Sequence, residues 1–259
     1  MMYIAIALVS LLASLLTFFS GFGLGTLLLP VFALFFDLET AIALTAIVHF
    51  LNNVFKFGLV YKKINTSLVL KFGIPSLLFA FLGAWLLKQF SASEPLFTYS
   101  ISGHLFSITG IGITIGSLML LFSLWELIPY LKNLSFGKNN LLWGGALSGF
   151  FGGLSGHQGA LRSAFLIRMD LKKEVFIATG IAIAGMVDIA RLSIYSTTIS
   201  KEIISQNYIL LLIAIGAAWI GAIAGNKLLK KTTYGFIKWF VFVFMGMISL
   251  LIISGILNK

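Results

Sequence analysis

Six apolar runs long enough to cross a bilayer recur along the chain, at about 40–61, 66–88, 100–124, 175–199, 206–228 and 237–257. A crossing helix takes roughly 20 apolar residues. Two further apolar stretches, 3–36 and 140–167, are interrupted by glycine-rich breaks. The first break reads Ser20-Gly21-Phe22-Gly23-Leu24-Gly25, with Pro30 following, and the second reads Gly152-Gly153-Leu154-Ser155-Gly156-His157-Gln158-Gly159. In lipid, irregular backbone is tolerated only where protein packs on it or a wet cavity meets it. Both breaks are therefore expected inside the bundle.

The two breaks correspond. Ser20-Gly21 with Gly25 matches Ser155-Gly156 with Gly159 at offsets of 135 and 134. Asp37-Leu38 then matches Asp170-Leu171, Asn53 and Lys56 match Asp188 and Arg191, and Gly83-Ala84 matches Gly221-Ala222. A series of matches in one order indicates a duplication. The prediction is an all-α integral membrane protein of one membrane domain, 1–259, with repeat one over 1–125 and repeat two over 139–259. Each repeat is a broken or re-entrant hairpin followed by three spans.

Composition agrees with lipid as the main solvent: 59% of residues are hydrophobic, 10% are charged, and mean hydropathy is +1.04. No hydrophilic stretch is large enough for a soluble domain. Met1 to Phe36 carries no charge. A cleavable signal peptide has a basic start and a short apolar core, so this stretch is expected to belong to the mature bundle. Cysteine is absent, which removes disulfides, thiolate nucleophiles and cysteine metal sites.

The net charge of +10 does not point to nucleic acid, because the basic residues flank the apolar runs. Suppose each broken segment returns to the side it left. One face then holds 12 basic residues: Lys62, Lys63, Lys71, Lys132, Lys138, Arg168, Lys172, Lys173, Lys227, Lys230, Lys231 and Lys238. The other face holds Lys88, Lys201 and Lys259. If the second break crosses once instead, the same residues split 7 to 8. Cytoplasmic loops carry an excess of Lys and Arg, so the first arrangement is preferred. It makes the halves inverted repeats with both termini outside the cytoplasm, an architecture of many secondary transporters.

Three cations and one acid fall within the apolar segments: Lys56, Arg162, Asp188 and Arg191. A cation at the bilayer centre costs roughly 2.5–3.5 kcal/mol on insertion scales, so it normally faces a cavity or a partner. His49, Asn52, Asn53 and Lys56 lie on one helical stripe, as do Asp188 and Arg191. His157, Gln158 and Arg162 follow the second break. A half-helix N-terminus attracts an anion, and arginine adds a planar fork for oxyanions. A small anion is expected at Arg162, Arg191, Lys56, Asn52, Asn53, His157 and Gln158, with Gly21, Gly25, Gly156 and Gly159 as its backbone donors. His49 and Asp188 are candidates for proton coupling.

Plainer readings stand beside these. Asp188 and Arg191 form an intrahelical pair on spacing alone, Lys56 is near enough to its span end to snorkel, and Asn52 and Asn53 suit bonds to neighbouring helices. His49 reads equally as a satisfied interior histidine, and His104 as a structural one within its span. No metal-ligand spacing, nucleophile–base set or phosphate-binding loop is visible, so no cofactor, no metal and no enzyme activity are expected.

The run Ser20-Gly21-Phe22-Gly23-Leu24-Gly25-Thr26-Leu27-Leu28-Leu29-Pro30, with an acidic turn and Ala41-Ile42-Ala43-Leu44-Thr45, resembles the first repeat of the sulfite exporter TauE/SafE family. The resemblance runs over nearly the whole chain. It implies a multi-pass carrier of the bacterial inner membrane that exports sulfite or an organosulfonate, with its transport elements at Ser20–Pro30 and Ser155–Ser163. The second repeat departs from the common pattern, in which glycine-rich sequence runs into proline. Here it reads His157-Gln158-Gly159-Ala160-Leu161-Arg162-Ser163, which enriches the site in donors. The partners implied are a small sulfur anion and membrane lipid; a homodimer is left open. An anion channel on the same repeats, and a membrane enzyme or scaffold, are the alternatives.

Overall fold

The computed structural model describes residues 1–20, 24–91, 93–128, 136–197, 201–228 and 235–257. Its helices are α1 (Met2–Ser20), α2 (Leu24–Ala33), α3 (Leu38–Val60), α4 (Thr66–Ser91), α5 (Gly110–Leu127), α6 (Leu141–Ser155), α7 (Gly159–Leu166), α8 (Lys173–Tyr195), α9 (Lys201–Gln206), α10 (Tyr208–Leu228) and α11 (Gly235–Ile253). Four of them, α3, α4, α8 and α10, are individually long and apolar enough to cross a bilayer. The apolar stretches 3–36 and 140–167 each hold two helices; the second pair meets at the expected break, and residues 21–23 of the first break lie outside the described residues. The chain is a predominantly α-helical, multi-pass membrane protein.

Local chemistry sets the helix ends. The Asp37 carboxylate accepts a 2.9 Å bond from the Thr40 amide and starts α3. Asn65 accepts from the Leu68 amide to start α4, and Thr109 from the Gly112 amide to start α5. Side-chain acceptors of this kind satisfy amides that have no partner inside the helix. Between Val69 and Gly73, α4 takes a π-helical turn.

One span differs from the sequence reading. The run at 100–124 is not a single helix, because residues up to Ile108 form an antiparallel hairpin of β1 (Phe97–Ile101) and β2 (His104–Ile108). Ser102 and Gly103 join the strands, both at positive φ, which is the two-residue turn that matches strand twist. His104 is an exposed strand residue rather than part of a span.

The main helix contacts run between the halves and come in exchanged pairs. α1 packs on α10 as α6 packs on α4; α3 packs on α10 as α8 packs on α4; α3 meets α8, and α5 meets α11. α3 and α8 are each 23 residues long. Glycine permits the closest of these approaches. A Cβ at Gly83 would lie 2.1 Å from the Phe150 carbonyl oxygen, and one at Gly221 2.2 Å from that of Leu11. Small residues matter here because lipid supplies no hydrophobic drive between helices. Gly83→Ala and Gly221→Ala are therefore each expected to destabilise by about 1–3 kcal/mol through overpacking. Gly58→Ala, where a Cβ would meet nothing within 4 Å, should instead be neutral or stabilising by up to about 1 kcal/mol. Thermal unfolding in one detergent compares the three.

The bundle has two chemically distinct ends. At one, a cavity joins Asp37, Glu39, Lys88, Ser91, Tyr195 and Ile203, and Lys88 donates to Thr197 at 2.8 Å. At the other, a cavity joins Asn65, Lys71, Asn139, Leu141, Met169 and Leu171, with Arg168, Lys172 and Lys173 in the adjoining chain. Both ends of the α6–α7 hairpin thus sit at the basic end, where Phe165 of α7 lies against Gly144 of α6. α1 instead runs beside α3 until Thr17 reaches Lys56, and α2 returns past His49 to Asp37 at the acidic end. Lys132, Lys230, Lys231 and Lys259 lie outside the described residues.

Candidate functional site

Polar side chains are costly in a lipid-facing helix, so the two stripes turn inward and meet where α3 packs on α8. His49 Nδ1 lies 2.7 Å from Asp188 Oδ2, and the Asn53 amide donates to the same oxygen at 2.7 Å. Arg191 Nε stands 3.2 Å from Asp188 Oδ1 as an ion pair without hydrogen-bond alignment. Asp188 is wholly buried, and Arg191 is 2% exposed. The Asp188–Arg191 pair is real but not self-contained, since the carboxylate also holds two groups from α3.

Lys56 does not snorkel. It is buried, and its ammonium donates to the Ser14 carbonyl at 3.2 Å and to Thr17 Oγ1 at 3.1 Å. Asn52 accepts from the Ser14 hydroxyl at 3.0 Å, leaving its own amide nitrogen without a partner.

At the second break, Gly156 closes α6 in the left-handed region at φ 79°. A Cβ there would lie 2.4 Å from Arg191 Nη1, so glycine serves both the turn and the arginine. His157 stacks on Phe122 of α5, with ring centroids 5.6 Å apart, and its Nδ1 is 3.1 Å from the Ser155 hydroxyl. Gln158 precedes α7 and accepts from Arg162 Nη1 at 3.3 Å. Gly159 opens α7, while Gly25 in α2 faces Thr45 and His49. Gly21 lies outside the described residues.

Two layers result. A cavity of about 40 Å³ is lined by Thr17, His49, Asn53, Lys56, Gln158 and Arg162, together with Gly180 and Ile177 from the first turns of α8. That is space for about three waters, comparable to a four-heavy-atom oxyanion. Asp188, Arg191, Gly156 and His157 stand beside it, toward the acidic end. The larger cavity at that end holds none of the expected residues; the small one carries the chemistry, because the buried cations line it. Ser14 and Thr17 were not anticipated as partners of Lys56. Their signal is the buried stripe of Ser10, Ser14 and Thr17 in an uncharged helix.

A family model described as Sulfite exporter TauE/SafE matches residues 6–252. The chain belongs to the TauE/SafE family. The match spans both breaks and every span, and it places this protein among membrane transporters of sulfite or related anions. No curated protein and no solved structure matches it. Within the TauE/SafE frame, Lys56, Arg162 and Arg191 set against Asp188 leave the buried centre with a formal charge of +2.

Proposed function

We propose that this TauE/SafE protein is a secondary transporter that exports sulfite or a small organosulfonate across the bacterial inner membrane. The observation that carries the reading is a group of buried donor nitrogens without an acceptor: Asn52 Nδ2, Gln158 Nε2 and Arg191 Nη2. An unsatisfied buried donor costs about 1–3 kcal/mol. Several of them around excess positive charge suit a partner made only of acceptors. An oxyanion meets that description; a cation or a neutral apolar solute does not.

In this reading, Arg162, Arg191 and Lys56 balance the anion's charge, while Asn52, Asn53 and Gln158 bond its oxygens; His157, whose Nδ1–H goes to the Ser155 hydroxyl, joins them when its Nε2 is also protonated. Gly25, Gly156 and Gly159 bring backbone amides close, as Gly21 does on sequence grounds. The halves act as inverted repeats: one broken hairpin opens toward the acidic end and the other toward the basic end. The basic end faces the cytoplasm, following the excess of Lys and Arg. Access alternates as the α3–α8 contact reseats, and His49 with Asp188 exchanges a proton as it does so. A channel on the same helices is disfavoured, because buried side chains pack the centre and the cavity among them is about 40 Å³.

Radiolabelled sulfite flux in proteoliposomes tests this. A carrier gives saturable uptake that is accelerated by unlabelled sulfite on the opposite side. Ohmic anion currents at channel rates would reject the carrier reading.

A further inference from the structure

We propose that Tyr195 is the outer gate of the transport path, a ring latched to the Gly153 carbonyl that separates the buried cations from the acidic-end cavity. The inference rests on the transport reading above and adds where the outer barrier stands. Tyr195 is the last residue of α8. It follows Arg191 by four positions and Asp188 by seven, so it shares their helix face. Its side chain is buried, and its hydroxyl donates to the Gly153 carbonyl at 2.8 Å.

Gly153 lies in the last turn of α6, just before Gly156, where Arg191 Nη1 makes its close approach. A single side chain therefore ties α8 to the tip of the second broken hairpin, immediately to the acidic side of the arginine. On the far side of the ring is the cavity of about 250 Å³ with Asp37, Thr40, Lys88 and Ser91 in its wall. Tyr195 lines that cavity and not the smaller one at Lys56 and Arg162. An anion moving along α8 between the two has to displace the ring.

The match of Lys56 to Arg191 sets Val60 opposite Tyr195. Val60 packs with Ile177, Ala178 and Ala222, and it has no hydroxyl with which to latch. The outer position is held by a directional bond, whereas Val60 makes apolar contacts. Breaking the bond should therefore open the outer side selectively.

The chain contains no cysteine, so a single introduced thiol reports on its own position. Ser91→Cys places one in the acidic-end cavity, and Ala184→Cys places one in the wall of the small cavity. Both are exposed to a membrane-impermeant maleimide in right-side-out vesicles. Ser91→Cys should label readily, and Ala184→Cys should be protected. Adding Tyr195→Phe should raise outside labelling of Ala184→Cys about fivefold, the loss of one neutral hydrogen bond, and Tyr195→Ala should raise it further. Equal labelling of Ala184→Cys in all three backgrounds overturns the gate. Labelling of Ser91→Cys only in inside-out vesicles overturns its outer placement. Sulfite flux in the same vesicles keeps the two readings apart: labelling that depends on Tyr195 without any sulfite flux retains the gate and removes the transport assignment.

Discussion

Asp188→Ala is expected to lower the thermal stability of the purified protein more than any other single substitution at the centre, and to abolish sulfite flux. Asp188 is wholly buried and serves three groups at once: His49 and Asn53 on α3, and Arg191 on its own helix. Removing it leaves the buried Arg191 cation without a counter-ion, a change that typically costs about 3–5 kcal/mol. The polar link between α3 and α8 is lost with it. The double variant Asp188→Ala, Arg191→Met should recover much of the stability, since removing both charges is far cheaper than stranding one. It should recover none of the flux. A fluorescence-based melt in detergent beside the flux assay separates the two effects. If Asp188→Ala melts like the parent protein, the carboxylate does not organise the centre as described.

Arg191→Ala and Arg162→Ala are expected to weaken anion binding severely without unfolding the bundle. Truncating one member of a buried, hydrogen-bonded charge pair costs about 2–5 kcal/mol of affinity, or roughly 30-fold to several thousand-fold. The two arginines differ in their support. Arg191 approaches the break at Gly156, where an added Cβ would collide with it, and it is anchored by Asp188. Arg162 sits in the first turn of α7 and is oriented by Gln158, so its loss also releases the glutamine. Arg191→Lys keeps the charge but removes the planar fork. It should therefore bind more weakly than the parent and more tightly than Arg191→Ala.

Much of this architecture was legible in the sequence, because lipid enforces strict rules. Spans must be long and apolar, so the runs at 40–61, 66–88 and 175–199 fall within a few residues of α3, α4 and α8. Charges at depth are rare, so Lys56, Arg162, Asp188 and Arg191 stood out, and all four are buried. The internal sequence match set Asn53 and Lys56 against Asp188 and Arg191, and the helices that carry them, α3 and α8, are in contact.

The misses have physical reasons as well. The hairpin at Phe97–Ile108 was hidden because its Phe, Leu and Ile residues run without a charge into the apolar helix that follows, although Thr98, Ser100 and the Ser102–Gly103 turn set it apart. Ser14 and Thr17 escaped notice because a lone hydroxyl in a helix usually bonds its own backbone, and no charge drew attention to α1. The direction of Lys56 followed from those same residues, so it read as a candidate for snorkelling. Tyr195 gave no signal, since 14% of the chain is aromatic and only the tertiary bond to Gly153 distinguishes it.

The most direct test of the central claim, that this buried cluster binds a small sulfur oxyanion, is calorimetric titration of the purified protein with sulfite, sulfoacetate, thiosulfate and taurine. Arg162→Ala and Arg191→Ala are titrated alongside. The account predicts saturable binding of at least one of the anions, little binding of zwitterionic taurine, and loss of that binding by roughly 30-fold or more in each arginine variant. Binding that is unchanged in both variants, while their melting curves match the parent, would place the anion elsewhere and contradict the account.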